Sequence, residues 1–484
     1  MMDKKLNYSA LRLKAGLELH QQLDTKCKLF CNCSTEMKEK LPIATIVRKM
    51  HPVVSELGQM DAAVQFEYLR DRTFHYQMFN NETCLVELDD EPPHNLNKEA
   101  LETALQITLL LNCEIPSEIH IMRKILIDGS AVSSFQRTII IGLNGHISYK
   151  GKRITITQVT LEEDAAAIVS EENGKVTYKL SRLGIPLVEI DTGILEGFSP
   201  LELQDIAYQI GILARSTNKT KHGIGSIRQD VNVSIRNGPR TEVKGVQELG
   251  LLSKIVEFEA QRQMKEKPKE ETRAANLDGT TRFLRPLPGA NRMYPETDIP
   301  AVILTKEYID NLKKSLPEPW TNKLERFKTK LKLPDGLARE ILGSEYLNLF
   351  EKIVSAKKVE PTIVASTFTS VIKDLERRER IEIDRISESR FIEIFDYLQD
   401  KKIVKEAIPE IIRYLAAYPQ NGVGDALKEL DLAPLTASNV RTIAEEIVSQ
   451  SNMSFEKAYG IVMSKVRGKI DAQEVMKVVK GMMK

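Results

Sequence analysis

Long apolar runs are missing from this chain of 484 residues. The longest stretches, such as Ala165 to Val169, fall far short of the ~20 residues a membrane-spanning helix needs. The opening MMDKKLNYSALRLKAG has no apolar core of the ~7–15 residues a secretory signal requires. Cysteine is scarce, at 5 residues, which excludes a disulfide scaffold. Charge of one sign is not in excess either: 69 Lys and Arg meet 68 Asp and Glu, a formal net charge of +1. That excludes coating nucleic acid through global charge but leaves room for a local basic patch. Familiar phosphate loops are absent. No GxxxxGKS/T occurs, and His222-Gly223-Ile224-Gly225 leads to Arg228 where a GxGxxG would need glycine. A nucleotide site here is therefore neither a P-loop nor a Rossmann site. What remains, 42% apolar and 28% charged residues, is ordinary for globular protein. The sequence reads as a soluble, cytoplasmic protein with no membrane or DNA partner.

At roughly 150 residues per domain the length suggests three domains. All cysteines and histidines lie in the first ~300 residues, with most Gly-punctuated, strand-like segments. In GSIRQDVNVSIR, Ile227, Val231, Val233 and Ile235 alternate with Arg228, Asp230, Asn232, Ser234 and Arg236. Asn237-Gly238 and TEVKGV follow, so a β-hairpin with one apolar and one polar face is expected. Lys152–Gln158 and Val176–Ile190 also read as strands. Ser199-Pro200-Leu201-Glu202 is a capping box opening a helix, and Asn97 caps another through Leu101, Ala104, Leu105 and Leu109. The first part, 1–304, is thus a mixed α+β domain. From about Thr305 the periodicity turns helical, in segments such as Glu307–Leu316, Leu337–Leu342 and Ile372–Arg380. Prolines punctuate this helical domain, 305–420. Asn421-Gly422-Val423-Gly424 reads as a hinge before a small helical tail, 421–484. In Ser451–Lys484 seven basic residues (Lys457, Lys465, Arg467, Lys469, Lys477, Lys480, Lys484) stand against Glu456, Asp471 and Glu474, a net +4. This local basic module fits nucleic-acid contact, with a solvated helix face as the bland alternative.

Five places hold chemistry-bearing residues. Glu18 and His20, two apart on a strand, share a face and could bind a divalent cation, although spacing alone favours a solvated strand face. The consecutive carboxylates Glu162, Glu163 and Asp164 repel one another unless water or a cation neutralises them, and as a lone motif they read as a solvated loop. Glu189 sits in the apolar run SRLGIPLVEID, where a carboxylate needs an arginine or a metal. Arg228, Asp230, Asn232, Ser234 and Arg236, with Glu242 and Lys244, suit phosphate and Mg²⁺ recognition, or form a cross-strand ion-pair ladder. Cys31-x-Cys33 and Cys84 supply most of a zinc site, with Glu87 or His94 as the completing ligand and Cys27 offset. Cys113, in an apolar helix, reads as core.

The blocks GLELHQQLDTKCKLFC, TLEEDAA, SRLGIPLVEIDTG, GSIRQDVNVSIR, EVKGVQELGLL and FLRPLPGANRMYPETDIP, in this order, resemble the E subunits of archaeal Glu-tRNA(Gln) amidotransferases, which are homologous to the B subunits of the bacterial and organellar enzymes. The resemblance is dense from Leu13 to about Pro300 and weaker into the tail, where KVRGKID is typical. It implies a cradle-shaped catalytic domain that uses ATP to phosphorylate the γ-carboxylate of Glu mischarged on tRNA(Gln). Ammonia from an asparaginase-like D-type subunit then displaces phosphate. It further implies Mg²⁺ at Glu18, His20, Glu163 and Glu189. Arg182, Arg228, Asp230, Asn232, Arg236 and Lys244 would lie around ATP or the aminoacylated end, with Lys465, Arg467 and Lys469 on tRNA phosphates. Many E subunits carry an inserted domain like that of bacterial aspartyl-tRNA synthetases, yet here only Leu251 to Lys269 fills its place. That brings the architecture nearer the B type, whose partners are A and C subunits. The B-type zinc pattern, CxC then CxxC, has Glu87 in its fourth place, so the resemblance alone does not carry zinc across. Two other classes compete: a non-catalytic tRNA-binding relative, and a metal-dependent nuclease using Glu163 and Glu189.

Overall fold

The computed structural model describes residues 6–50, 60, 62–126, 128–223, 225–266, 268–289, 293–356, 358–448 and 454–482. Two compact units divide the chain, Met1–Pro319 and Trp320–Lys484.

The first unit is built on a sheet of 11 strands among the described residues. Its order runs Thr281–Pro286, Glu271–Ala275, Thr241–Val246, Ile227–Ser234, Lys14–Gln22, Pro186–Thr192, Lys152–Glu163, Phe135–Tyr149, Ile121–Ile125, Met293–Pro295, and Leu195–Glu196 also pairs with Lys14–Gln22. The expected hairpin is present: Val231 faces Val243 and Asn232 faces Glu242 across it. Asn237 in its turn takes φ 60°, a left-handed conformation that asparagine tolerates. Alternation along the central strands makes the sheet two-faced. Leu17, Leu19, Val188, Ile190, Val231 and Val233 are buried on one side, where helices Lys98–Leu110, Pro200–Arg215 and Leu249–Glu266 cover the strands. The Pro200 helix begins with the capping box expected at Ser199 and Glu202, and Asn97 caps the Lys98 helix. The opposite face carries the charged residues.

One expectation differs. Val176–Ile190 is not one strand but two, Lys175–Lys179 and Pro186–Thr192, in different sheets. The break falls at Ser181–Gly184, where Gly184 takes φ 84°. Lys175–Lys179 joins a four-stranded sheet with Ala44–Lys49, Thr73–Met78 and Ala167–Glu172. Its core stacks Tyr76 on Tyr178 with ring centroids 5.8 Å apart.

The second unit is helical. A π-helical turn, Thr367–Val371, precedes helix Ile372–Glu379, and Phe368 there stacks on Tyr346 at 4.9 Å. The segment expected as a hinge instead starts a helix: Gly422 caps Val423–Glu429, in which Val423 and Ala426 are buried. The last three helices, Ala437–Val448, Phe455–Val466 and Ala472–Met482, share a core of Val440, Ala444, Val462, Val466, Val475 and Val479. Among the described residues no helix is long and apolar enough to cross a membrane.

Candidate active site

Strand register assembles the charged face. Glu18 lies between Asp191 and Asp230, and His20 between Glu189 and Arg228. His20 Nε2 and Glu189 Oε2 are 2.8 Å apart. Asn232 Nδ2 donates to Glu18 Oε1 at 2.8 Å. Lys244 Nζ reaches Asp230 Oδ2 at 3.1 Å and Glu242 Oε1 at 2.8 Å, while the Gly245 N–H donates to Asp230 Oδ1 at 2.8 Å. Arg228 points to Asp164, which also accepts from Gln22 Nε2 at 2.6 Å. Arg182 approaches the same carboxylate at 3.7 Å and donates to the carbonyls of Ala165 and Ala166. Arg236 lies beyond the end of its strand and is exposed.

Pleating separates the two adjacent glutamates of Leu161-Glu162-Glu163, since neighbours on a strand face opposite sides. Glu163 is buried against Arg137, taking its backbone N–H at 3.2 Å and its guanidinium at 3.3 Å. Glu162 joins Thr138 and Thr160, each donating at 3.1 Å. Lys124 Nζ then bridges Glu162 at 3.2 Å and Glu189 at 3.5 Å. The charged face therefore brings together Glu18, His20, Glu189, Arg228, Asp230, Asn232 and Lys244, and leaves Glu163 on the other side. Sequence reasoning missed Lys124, Glu162 as distinct from Glu163, and Asp191. The pairing of Lys152–Glu163 with Pro186–Thr192 would have found Glu162, because that register sets Glu189 opposite Thr160.

Charge and burial fit a cation. Burial raises the Glu18 carboxyl above its ordinary value, with Lys244 pulling the other way. Burial and the charges of Glu189 and Glu18 push Asp191 up to about 7. Burial acts against ionised Glu189 too, but Lys124 and the His20 hydrogen bond win and hold it well below the carboxylate range. Burial and Arg228 oppose a charge on His20, and the Glu189 contact overcomes both, so its net shift is upward. Three buried atoms on this face, His20 Nδ1, Glu162 Oε2 and Asp191 Oδ1, have no hydrogen-bond partner. Carboxylate oxygens with one imidazole are a hard donor set that suits Mg²⁺ or Mn²⁺.

A second cluster lies off this face. Cys31, Cys33, Cys84 and Glu87 place one ligand atom each within 4.8 Å of one another. Three thiols and a carboxylate suit Zn²⁺. Cys27 and His94 are outside this set. Lys28, wholly buried, sits 2.8 Å from Glu87 Oε1. Burial raises the Glu87 carboxyl while Lys28 pulls it back. Cys113 follows the Lys98–Leu110 helix rather than lying in it and is half-buried, unlike the core helix position expected, and its Sγ is 2.2 Å from where a Cβ on Gly145 would stand. In the last helices Lys465 and Arg467 are exposed, and Lys469 pairs with Asp431 at 2.5 Å. Ser451 to Met453, Met483 and Lys484 of the basic tail lie outside the described residues.

The GatB/GatE catalytic domain family matches residues 13–310 and the GatB domain family residues 348–483. The E subunit of the glutamyl-tRNA(Gln) amidotransferase of Methanocaldococcus jannaschii is 34% identical over 620 aligned positions, covering 97% of this chain and 98% of that protein. Those of Pyrobaculum calidifontis and Aeropyrum pernix are 33% and 32% identical, covering 97% and 98% of this chain and 98% of each relative. Since 97% of 484 residues is about 470, about 150 of the 620 positions shared with the first hold no residue of this chain. Helix Leu249–Glu266 leads directly to strand Glu271–Ala275, at the place expected for the missing insert.

Proposed function

The chain belongs to the GatB/GatE family, and from that premise we propose that its charged sheet face is the site where an ATP-dependent amidotransferase subunit turns Glu-tRNA(Gln) into Gln-tRNA(Gln). A carboxylate is a poor electrophile at neutral pH. Transfer of the γ-phosphoryl group of ATP to the γ-carboxylate oxygen releases ADP and makes an acyl phosphate. Ammonia attacks its carbonyl carbon, phosphate leaves with the C–O electron pair, and the amide remains. Phosphoryl transfer depends on positioning and on neutralising charge at the phosphate oxygens.

Residues of this chain supply both. Lys244 and Arg228 present cations beside Glu18 and His20, on rigid strands rather than loops. Asp164 orients Arg228 and Arg182. His20, Glu162 and Glu189 would hold Mg²⁺, which when bound screens the phosphate oxygens, and Glu18 would take the next position along the same face. Glu163 acts in this reading through Arg137 and the fold. Asn232 and Arg236 flank the ATP side, and Lys465, Arg467 and Lys469 contact tRNA phosphates. The partner is a D-type, asparaginase-like subunit that releases ammonia, and the complex works in the cytoplasm. Cys31, Cys33, Cys84 and Glu87 take Zn²⁺.

The observation that carries the reading is that His20 Nδ1 and Glu162 Oε2 are buried without a hydrogen-bond partner on one sheet face that also carries Lys124, Arg228 and Lys244. The test combines the chain and its D-type partner with Mg²⁺, ATP, asparagine and Glu-tRNA(Gln). Gln-tRNA(Gln) should form only with ATP. Absence of that product sinks the proposal, and tRNA breakdown with Mg²⁺ alone would point to a nuclease.

A further inference from the structure

Lys28 is an unusual neighbour for a cysteine cluster. Its side chain is wholly buried, and its ammonium donates to three oxygens: the Glu82 carbonyl at 2.6 Å, the Leu180 carbonyl at 3.2 Å and Glu87 Oε1 at 2.8 Å. A lysine ammonium has three N–H donors, so all are spent. Glu87 is equally occupied. Its Oε1 also accepts from Cys31 Sγ at 3.2 Å, and its Oε2 accepts the Cys84 N–H at 2.8 Å. One charge pair thus ties together the Lys28–Cys33 loop, the Glu82–Glu87 loop and the turn after Lys179. The first two are the segments a metal at the cluster would tie.

We propose that the Lys28–Glu87 pair does the structural work of a metal here, so that the cysteine knuckle keeps its shape empty and any zinc it takes is an exchangeable occupant. The pair supports this, because Lys28 and Glu87 neutralise each other with no metal present, whereas a fourth cysteine in place of Glu87 would leave Lys28 unpaired whenever the metal is absent. The proposal deepens the zinc reading and is separable from it.

The experiment follows hydrogen exchange of peptides spanning residues 26–35 and 79–90 in the full-length reduced chain, loaded with zinc chloride or stripped with chelator, with metal content measured in parallel. In the wild type, stripping should change exchange by less than about threefold. In Glu87→Cys it should speed exchange by about 100-fold or more, because an orphaned buried ammonium costs that much local stability. Lys28→Met should gain the same metal dependence, which covers the case of Glu87→Cys failing to fold. Wild-type protein that loosens on stripping as much as the variants overturns the proposal. A wild type that never takes zinc, with variants that become metal-dependent, defeats the zinc reading alone.

Discussion

The two adjacent glutamates give the most discriminating perturbation, because one strand carries them to opposite faces. Glu162→Gln keeps an oxygen for Thr138, Thr160 and Lys124 but removes the charge facing the proposed cation. A divalent ion and a unit charge about 4 Å apart interact by about 8 kcal/mol at an effective dielectric of about 20. The amide oxygen and water that take over the ligand place return more than half of that, so about 3 kcal/mol, or about 100-fold in Mn²⁺ affinity, is the expected loss. Fold stability should hardly move. Glu163→Gln should do the reverse. It removes the anion 3.3 Å from the buried Arg137, which retains Glu296 at 2.9 Å. Breaking a buried pair outright costs about 3–5 kcal/mol, and the surviving partner brings this to about 2–3 kcal/mol. In the Met1–Pro319 unit, at an unfolding entropy of about 2 cal/mol/K per residue, that lowers Tm by roughly 3–5 °C. Mn²⁺ titration by paramagnetic resonance and thermal melts of both variants read the two effects separately. If Glu163→Gln loses Mn²⁺ affinity as Glu162→Gln does, without a lower Tm, the assignment by strand parity is wrong.

Further expectations concern the neighbours of these residues. Lys124→Met removes the cation bridging Glu162 and Glu189. Mn²⁺ should then bind about tenfold tighter, the like charges having lost their internal counter-ion; unchanged or weaker binding would show that the lysine and the metal coexist. Gly145→Ala places a Cβ 2.2 Å from Cys113 Sγ and 2.8 Å from the Leu111 carbonyl. A melting curve should show about 1–3 kcal/mol lost, with partial recovery in Gly145→Ala/Cys113→Ala if the sulfur contact is the cause. Burial pushes the Cys113 thiol up to about 12. Its alkylation by iodoacetamide should therefore be slow at pH 7 and rise about tenfold per pH unit through pH 9, since the thiolate is the reactive form. A rate that levels off near pH 8 refutes this.

Much of the fold was legible because local signals agreed with tertiary demands. The hairpin of Ile227–Ser234 and Thr241–Val246 shows its alternation and its turn, and the cap at Ser199 marks a helix that packs where its apolar stripe requires. Val176–Ile190 misled because a continuous apolar run fits one long strand or two short ones. The fork at Ser181–Gly184 is set by which sheet each half joins, a non-local choice. Asn421–Gly424 misled differently: Gly-rich punctuation marks a helix start as readily as a linker, and here Val423 and Ala426 reach a core that only the folded helices create.

The site was legible as a set of segments and illegible as a set of atoms. Period-two spacing puts Glu18 with His20, and Asp230 with Asn232, whatever the surroundings, so those pairs are visible in one dimension. Glu162 and Glu163 are a parity question, and parity is fixed by register against Pro186–Thr192, where Glu189 meets Thr160. Lys124 has no motif around it in IMRKI. It matters because its strand pairs with Phe135–Tyr149, which pairs with Lys152–Glu163, so two register steps carry its ammonium to Glu162. Each step depends on every apolar residue of the opposite face staying under its helix, since a one-residue slip would turn Leu161 outward and Glu162 inward. The packing that buries Ile139, Leu161 and Val188 is therefore also what aims the carboxylates. Substitutions in that core should move Mn²⁺ affinity together with stability, whereas substitutions on the charged face should separate the two.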